Sequence, residues 1–159
     1  MDAESRDKLV RLLQSQRSAA LGTIREGVPL VSHVLFVPDR DLSAFYVHVS
    51  RLAWHTQDML RDPRVGLMIA EPDRGDRNPQ TLARISIGAE AHEMGRDDPA
   101  HQDVAARYLE RFPEAAMTFG LGDFSFFQIR PLWARYVAGF ARAFNLRPED
   151  LRQLAPLMT

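Results

Sequence analysis

The chain has 159 residues, 45% hydrophobic and 26% charged, with twenty basic against twenty-one acidic side chains for a formal charge of −1. That length suits one domain, 1–159, with apolar matter enough for a proper core, and the balanced charge speaks against a nucleic-acid binder or a polybasic membrane anchor. There is no cysteine, which removes disulfide scaffolds, thiolate metal sites and cysteine nucleophiles.

The start, Met1-Asp2-Ala3-Glu4-Ser5, is acidic and polar and fits neither a signal nor a transit peptide. The longest apolar run, Val65 to Ala70, falls far short of the roughly 18 residues of a membrane span. A cytoplasmic protein is the expectation. Residues 4–17 read as an amphipathic helix, with Leu9, Val10, Leu12 and Leu13 on one face and Arg6, Arg11 and Arg17 in water. A strand at 19–24 leads through a tight turn at Glu26-Gly27 into a second, 28–37. Its alternation sets Leu30, Ser32, Val34 and Phe36 against Val31, His33, Leu35 and Val37. After a turn at 38–41, residues 44–50 form the third strand of an expected meander.

The period then changes. Residues 52–61 have helical spacing and Pro63 stops them. A buried strand at 65–70, a polar surface loop at 72–79 and a strand at 82–91 follow. Asp98-Pro99 opens a helix with proline at its first position, carrying Val104, Tyr108, Leu109 and Phe112, and Pro113 restarts a short helical turn. Strands 124–129 and 133–140 join at Arg130-Pro131. Pro148-Glu149-Asp150 starts a last helix, its acids set against the positive helix end. Short strands joined by tight turns, with three or four helices between them, give an α+β protein whose antiparallel sheet closes as a small β-barrel.

The stretch 48–64 carries the most chemistry. A strand ends at Ser50 and a helix begins a few residues on, so free N–H groups of a first helical turn lie beside hydroxyls, a guanidinium and an imidazole. Such a junction attracts anions. Ser50 and Thr56 can donate hydroxyl hydrogen bonds to phosphate oxygens, Arg51 can grip two oxygens at once, and Arg84 can add a second charge. The plainer alternative makes Ser50 a helix cap, Arg51 a solvated flank and His55 a surface residue. His33, His48 and His55 with Asp58 could form a metal set, but no pair has the i, i+4 spacing of a helical zinc motif, and hydrogen-bonded strand histidines are the alternative. No metal is expected, and no general acid or base stands out. There is no Gly-x-Ser-x-Gly elbow and no Walker A sequence. The aromatic stretch 124–142 is read as core or, alternatively, as a flat ligand pocket lined by Phe140 and Arg142, with Gly139 allowing close backbone approach.

Taken in order, Leu21-Gly-Thr23, Gly27-Val-Pro29-Leu-Val-Ser32, Val47-His-Val-Ser50-Arg51, Asp62-Pro63-Arg64-Val65, Ala83-Arg84-Ile-Ser-Ile-Gly88, Gly122-Asp123-Phe124 and Ala138-Gly-Phe140-Ala-Arg142-Ala143 resemble the pyridoxamine 5′-phosphate oxidase-like FMN-binding split-barrel proteins, specifically their haem-utilisation branch. The resemblance runs over roughly residues 5–147. It implies an antiparallel split β-barrel with peripheral helices, and a homodimer with FMN at the interface. Ser50 and Arg51 would hold the phosphate with His55 and Thr56. Ser32, His33 and Val34, with His48 and Val49, would run along the flavin edge. Arg84 would reach the phosphate or ring, and Phe140 and Arg142 would approach the isoalloxazine from the partner chain. The function implied is a flavin-dependent oxidoreductase acting on a small-molecule substrate, with hydride passing through the flavin. The alternative is a non-catalytic FMN- or haem-binding module of the same fold. Ser32 and Val37 stand where the oxidase itself carries arginine and lysine, and the last histidine is His101.

Overall fold

Residues 1–158 are described in the computed structural model. Period-two alternation resolves into one antiparallel sheet of eight strands: β1 (Ser18–Arg25), β2 (Val28–Leu35), β3 (Val37–Pro38), β4 (Phe45–Ser50), β5 (Arg64–Ala70), β6 (Arg84–Glu93), β7 (Phe124–Gly139) and β8 (Arg142–Leu146). The order is β2-β1-β5-β6-β7-β4-β3, and β8 lies along the second half of β7. The sheet curls into a half-barrel that stays open between its two ends. Five helices surround it: α1 (Ala3–Ser15), α2 (Trp54–Arg61), α3 (His101–Arg111), α4 (Ala116–Phe119) and α5 (Pro148–Arg152). This is an α+β split barrel, the architecture expected from the sequence. Among the described residues no helix is long and apolar enough to cross a membrane.

Helix α1 begins where Asp2 accepts the backbone N–H of Ser5 at 3.0 Å, a side-chain cap for one of the unpaired donors of the first turn. Its buried face, Leu9, Val10, Leu12 and Leu13, enters the main core beside Leu21, Phe36, Leu67 and Ile87. Burial of each such side chain contributes about 1.5–3 kcal/mol before chain entropy is counted. The Tyr136 hydroxyl locks the helix in place by donating to the Ser5 carbonyl at 3.0 Å. A second core, built from Tyr46, Tyr108, Phe112 and Phe126, lies under α3.

The first hairpin falls where the sequence puts it, and three local expectations change. The β1–β2 hairpin forms around Glu26 and Gly27, both at positive φ, as a two-residue turn demands. The third strand does not continue the meander, because β4 pairs with β3 and β7 instead. The chain reverses at 39–44, where the Asp39 N–H donates to the Ala44 carbonyl at 2.8 Å, and β2 is left as a sheet edge. The two late strands are one. Gly88 pairs with Trp133 but Ala89 with Pro131, so Leu132 is the extra residue of a bulge, a place where a strand tolerates a residue without an N–H. Beyond it, Gly139 and Ala141 adopt positive φ and fold the chain back into β8, which the sequence does not announce. Lastly, α3 starts at His101 rather than at Pro99. Asp98 closes the preceding turn, its carboxylate accepting the Ala100 N–H at 2.8 Å and its carbonyl the His101 N–H at 2.9 Å.

Candidate functional site

The open side of the half-barrel, between edge strand β2 and strand β4, holds a cleft of about 340 Å³ roofed by α2, α3 and α4. His33 and Val34 reach it from β2, His48 and Val49 from β4, and His55 from α2. Five of the twelve expected site residues therefore meet here. Period two puts alternate residues of β2 on opposite faces, so His33 is exposed while Ser32 is turned half inward.

His48 sits in an aromatic cage. Its ring stacks on Phe119 at 4.4 Å between centroids, with Phe126 at 4.6 Å, Phe124 at 5.3 Å and Tyr108 at 5.7 Å. Burial pushes its pKa down to about 4, helped by the charges of His101 and Arg96, so the imidazole is neutral at neutral pH. Burial also lowers the pKa of His55, against a weaker opposing pull from Asp58. His55 Nε2 and Thr56 Oγ1 are buried with no hydrogen-bond partner. Thr56 lies behind the cleft on α2, fully enclosed. Three histidines line this cleft, yet among the described residues no set of three metal-ligating side chains stands close enough to hold an ion.

Past the end of β4 the expected phosphate cradle is already engaged. The Ser50 hydroxyl donates to Asp123 Oδ2 at 2.6 Å and accepts the Leu52 N–H at 3.1 Å. The Arg51 N–H donates to the Asp123 carbonyl at 2.7 Å, and the Arg51 guanidinium pairs with Glu93. A second cleft of about 580 Å³ lies on this side, lined by Arg51, Glu93, Arg96 and Ser125 among others.

Ser32, Ser50 and Thr56 are not in the lining of either cleft, and three further expected residues lie apart from both. Arg84 opens β6 opposite Val137 and donates to the Leu82 carbonyl at 3.2 Å. Phe140, 75% exposed, lies in the turn between β7 and β8. Arg142 pairs with Asp2 at 2.7 Å and Glu4 at 3.1 Å. Within one chain these three belong to the β6–β7–β8 side.

The outer face of the sheet adds residues that the sequence reading did not single out. Val31, Gly22, Gly66, Gly88 and Trp133 form one row across five strands. Side-chain-free backbone leaves an apolar trough of about 360 Å³ there. Trp133 lies so close over Gly88 that a Cβ at that position would fall inside the indole. The next row is His33, Ala20, Met68, Ser86 and Arg135, so His33 stands on the ridge between trough and cleft. The available signal was glycine recurring in mid-strand, which marks close approach to a backbone.

The half-barrel, its edge-strand cleft and the strand-to-helix junction after β4 define an α+β split barrel as a class. A family model described as "Pyridoxamine 5'-phosphate oxidase" matches residues 5–138, and the chain belongs to that family. Two of its relatives bear haem names. The chain is 40% identical over 119 residues to the non-canonical heme oxygenase HOZ of Arabidopsis thaliana, a match covering 75% of this chain and 35% of the relative. It is 28% identical over 140 residues to the heme oxygenase HutZ of Vibrio cholerae, covering 87% and 78%. The solved structure of HutZ, described as a heme storage protein, superposes with a TM-score of 0.71 at 26% identity, covering 78% of this chain and 87% of that one. The chain thus spans about a third of the length of the Arabidopsis relative. These relatives place it on the haem-utilisation side of the family. They also overturn the expectation of FMN, which the occupied donors of Ser50 and Arg51 do not fit.

Proposed function

We propose that this chain binds haem, and that its function lies with the haem-handling members of the family rather than with flavin-dependent oxidoreductases. The observation that carries this reading is the place of His33, an exposed imidazole on an edge strand, directly across from the apolar floor of the trough. Haem asks for a nitrogen donor to iron, a flat apolar wall for the macrocycle and a cation for its propionates. His33 supplies the first; Val31, Met68 and Trp133 the second; exposed Arg135, in the same row as His33, the third. His48 and His55 are half-buried, the one caged by aromatic rings and the other with its Nε2 buried, which leaves His33 as the exposed imidazole of the cleft. The haem names of relatives at 40% and 28% identity support the same ligand.

Bound haem would supply iron redox chemistry and, in an oxygenase, a macrocycle that is itself the substrate. The chain's part is to seat the ring and keep water from it. A trough flanked by Val31, 70% exposed, and by Trp133 and Met68 is a contiguous exposed apolar face of the kind that marks an interaction site. We therefore assign this face to a homodimer, with haem between the protomers.

Titrating the purified protein with hemin tests the reading. A saturable Soret shift at one haem per chain is the expected result. Free-hemin absorbance throughout the titration would overturn it.

A further inference from the structure

We propose that Glu93 and Asp123 are specificity determinants: each places a carboxylate on a donor at the end of β4, so that the chain fills its own anion site and rejects phosphomonoester ligands there. The inference concerns residues outside the haem reading and stands whether or not haem binds.

The junction has the parts of an anion site. Ser50 supplies a hydroxyl and Arg51 a half-exposed guanidinium. Helix α2 begins after Ala53 with no side-chain cap and no acidic residue in its first turn, leaving first-turn N–H groups without an intrahelical partner. Arg96 and the Ser125 hydroxyl line the adjoining cleft, and Ser125 Oγ is buried with no hydrogen-bond partner.

The parts are not free. A serine hydroxyl has one proton to donate, and Ser50 gives it to Asp123 at 2.6 Å, within the range of a charge-assisted bond. Arg51 turns to Glu93, which reaches it from the end of β6 with a side chain that is 28% exposed. Asp97 adds a third carboxylate, folded so closely over Gly95 in the lining of the same cleft that a Cβ there would touch it. Two guanidiniums, Arg51 and Arg96, line the cleft, and three carboxylates contact its lining or the junction beside it: Glu93 on Arg51, Asp97 by Gly95 and Asp123 on Ser50. A phosphate entering would have to displace two charge-assisted bonds and remain beside the groups it displaced. Like charges in so small a space disfavour it further. Next to Arg51 the chain carries Leu52, 77% exposed, which offers an incoming anion nothing.

The test is flavin binding with and without the phosphate, read by quenching of flavin fluorescence. FMN and riboflavin are the probes, and the proteins are the wild type, Glu93→Gln, Asp123→Asn and the double variant. Asparagine keeps the backbone carbonyl that receives the Arg51 N–H, and Glu93→Gln leaves the Ser50–Asp123 bond intact, so one single variant stays informative if the other misfolds. The wild type should not distinguish FMN from riboflavin. The double variant should bind FMN at least about tenfold more tightly than riboflavin, with Glu93→Gln between the two. A wild type that already prefers FMN overturns the proposal, and so does a folded double variant that gains no preference. Hemin titration of the same proteins reads the haem proposal separately.

Discussion

Arg25 and Asp58 meet at 2.9 Å between β1 and α2, and the carboxylate, 1% exposed, also accepts the Thr23 hydroxyl at 3.1 Å. The guanidinium lies 4.2 Å over the ring of Trp54, so one side chain ties the sheet to the helix that carries His55 and Thr56. Removing Arg25 leaves a buried carboxylate with a single hydroxyl donor. Arg25→Ala should cost about 3 kcal/mol in urea unfolding, the scale of a broken buried pair. Asp58→Asn, which still offers Thr23 an acceptor, should cost less. Equal and small losses would show that the pair does not tether α2.

The trough face gives a second expectation. Met68 projects from β5 beside Ala20, in the row next to the glycines. A charge at its tip has no partner once a second protomer covers the face, whereas on a solvated monomer it costs little. Met68→Glu should turn a dimer into a monomer by light scattering while leaving the far-ultraviolet dichroism unchanged. A wild-type monomer, or a dimer indifferent to the charge, would refute this interface.

How far the sequence reaches is visible in these same residues. The apolar period of α1, the turn at Glu26-Gly27 and the junction after Ser50 are local, and each is legible because neighbours in sequence decide it. The pairing of β4 with β7 is not local. Nothing in residues 44–50 says that their partner lies at 124–129, and adjacency alone argued for β2. Pro131 looked like a strand break because proline interrupts a ladder, and only the partner strand reveals the bulge that accommodates it. The site shows the same division. Ser50 and Arg51 were legible as anion donors, but Asp123 and Glu93, which engage them, come from 73 and 42 residues away. Donor types can be read along a chain; whether they are free depends on contacts the chain makes only when folded.

His33 is the test case for haem. An imidazole bound to iron changes the Soret position and the electron paramagnetic spectrum in ways that non-specific hemin adsorption does not. His33→Ala should weaken hemin binding by about tenfold or more, roughly 1.4 kcal/mol, and abolish the signature of nitrogen ligation. Its side chain is exposed, so the substitution should leave thermal stability unchanged. His92→Ala is the control, since His92 is also exposed and lies beside Glu90 at 3.5 Å. Parallel loss in both variants, or in neither, would remove His33 from the iron.

The caged histidine predicts a pH dependence with a definite sign. His48 has a folded pKa of about 4 against an ordinary 6.5, chiefly because burial penalises the cation. As pH falls below 6.5 the unfolded chain takes up the proton first, since the folded chain resists until pH approaches 4. The stability present in full above pH 6.5 is therefore lost progressively across that window. The gap corresponds to about 3 kcal/mol. His55, lowered in the same direction by burial, adds to the slope. Aspartates held low by hydrogen bonds, such as Asp62 at about 2, lose their contribution below the ordinary aspartate range, so urea midpoints between pH 6.5 and 4.5 isolate the histidines. His48→Phe, which keeps an aromatic ring among Phe119, Phe124 and Phe126 but cannot take up a proton, should flatten the decline in that interval. If the wild type and the variant lose stability in parallel there, the cage does not exclude the charged imidazole.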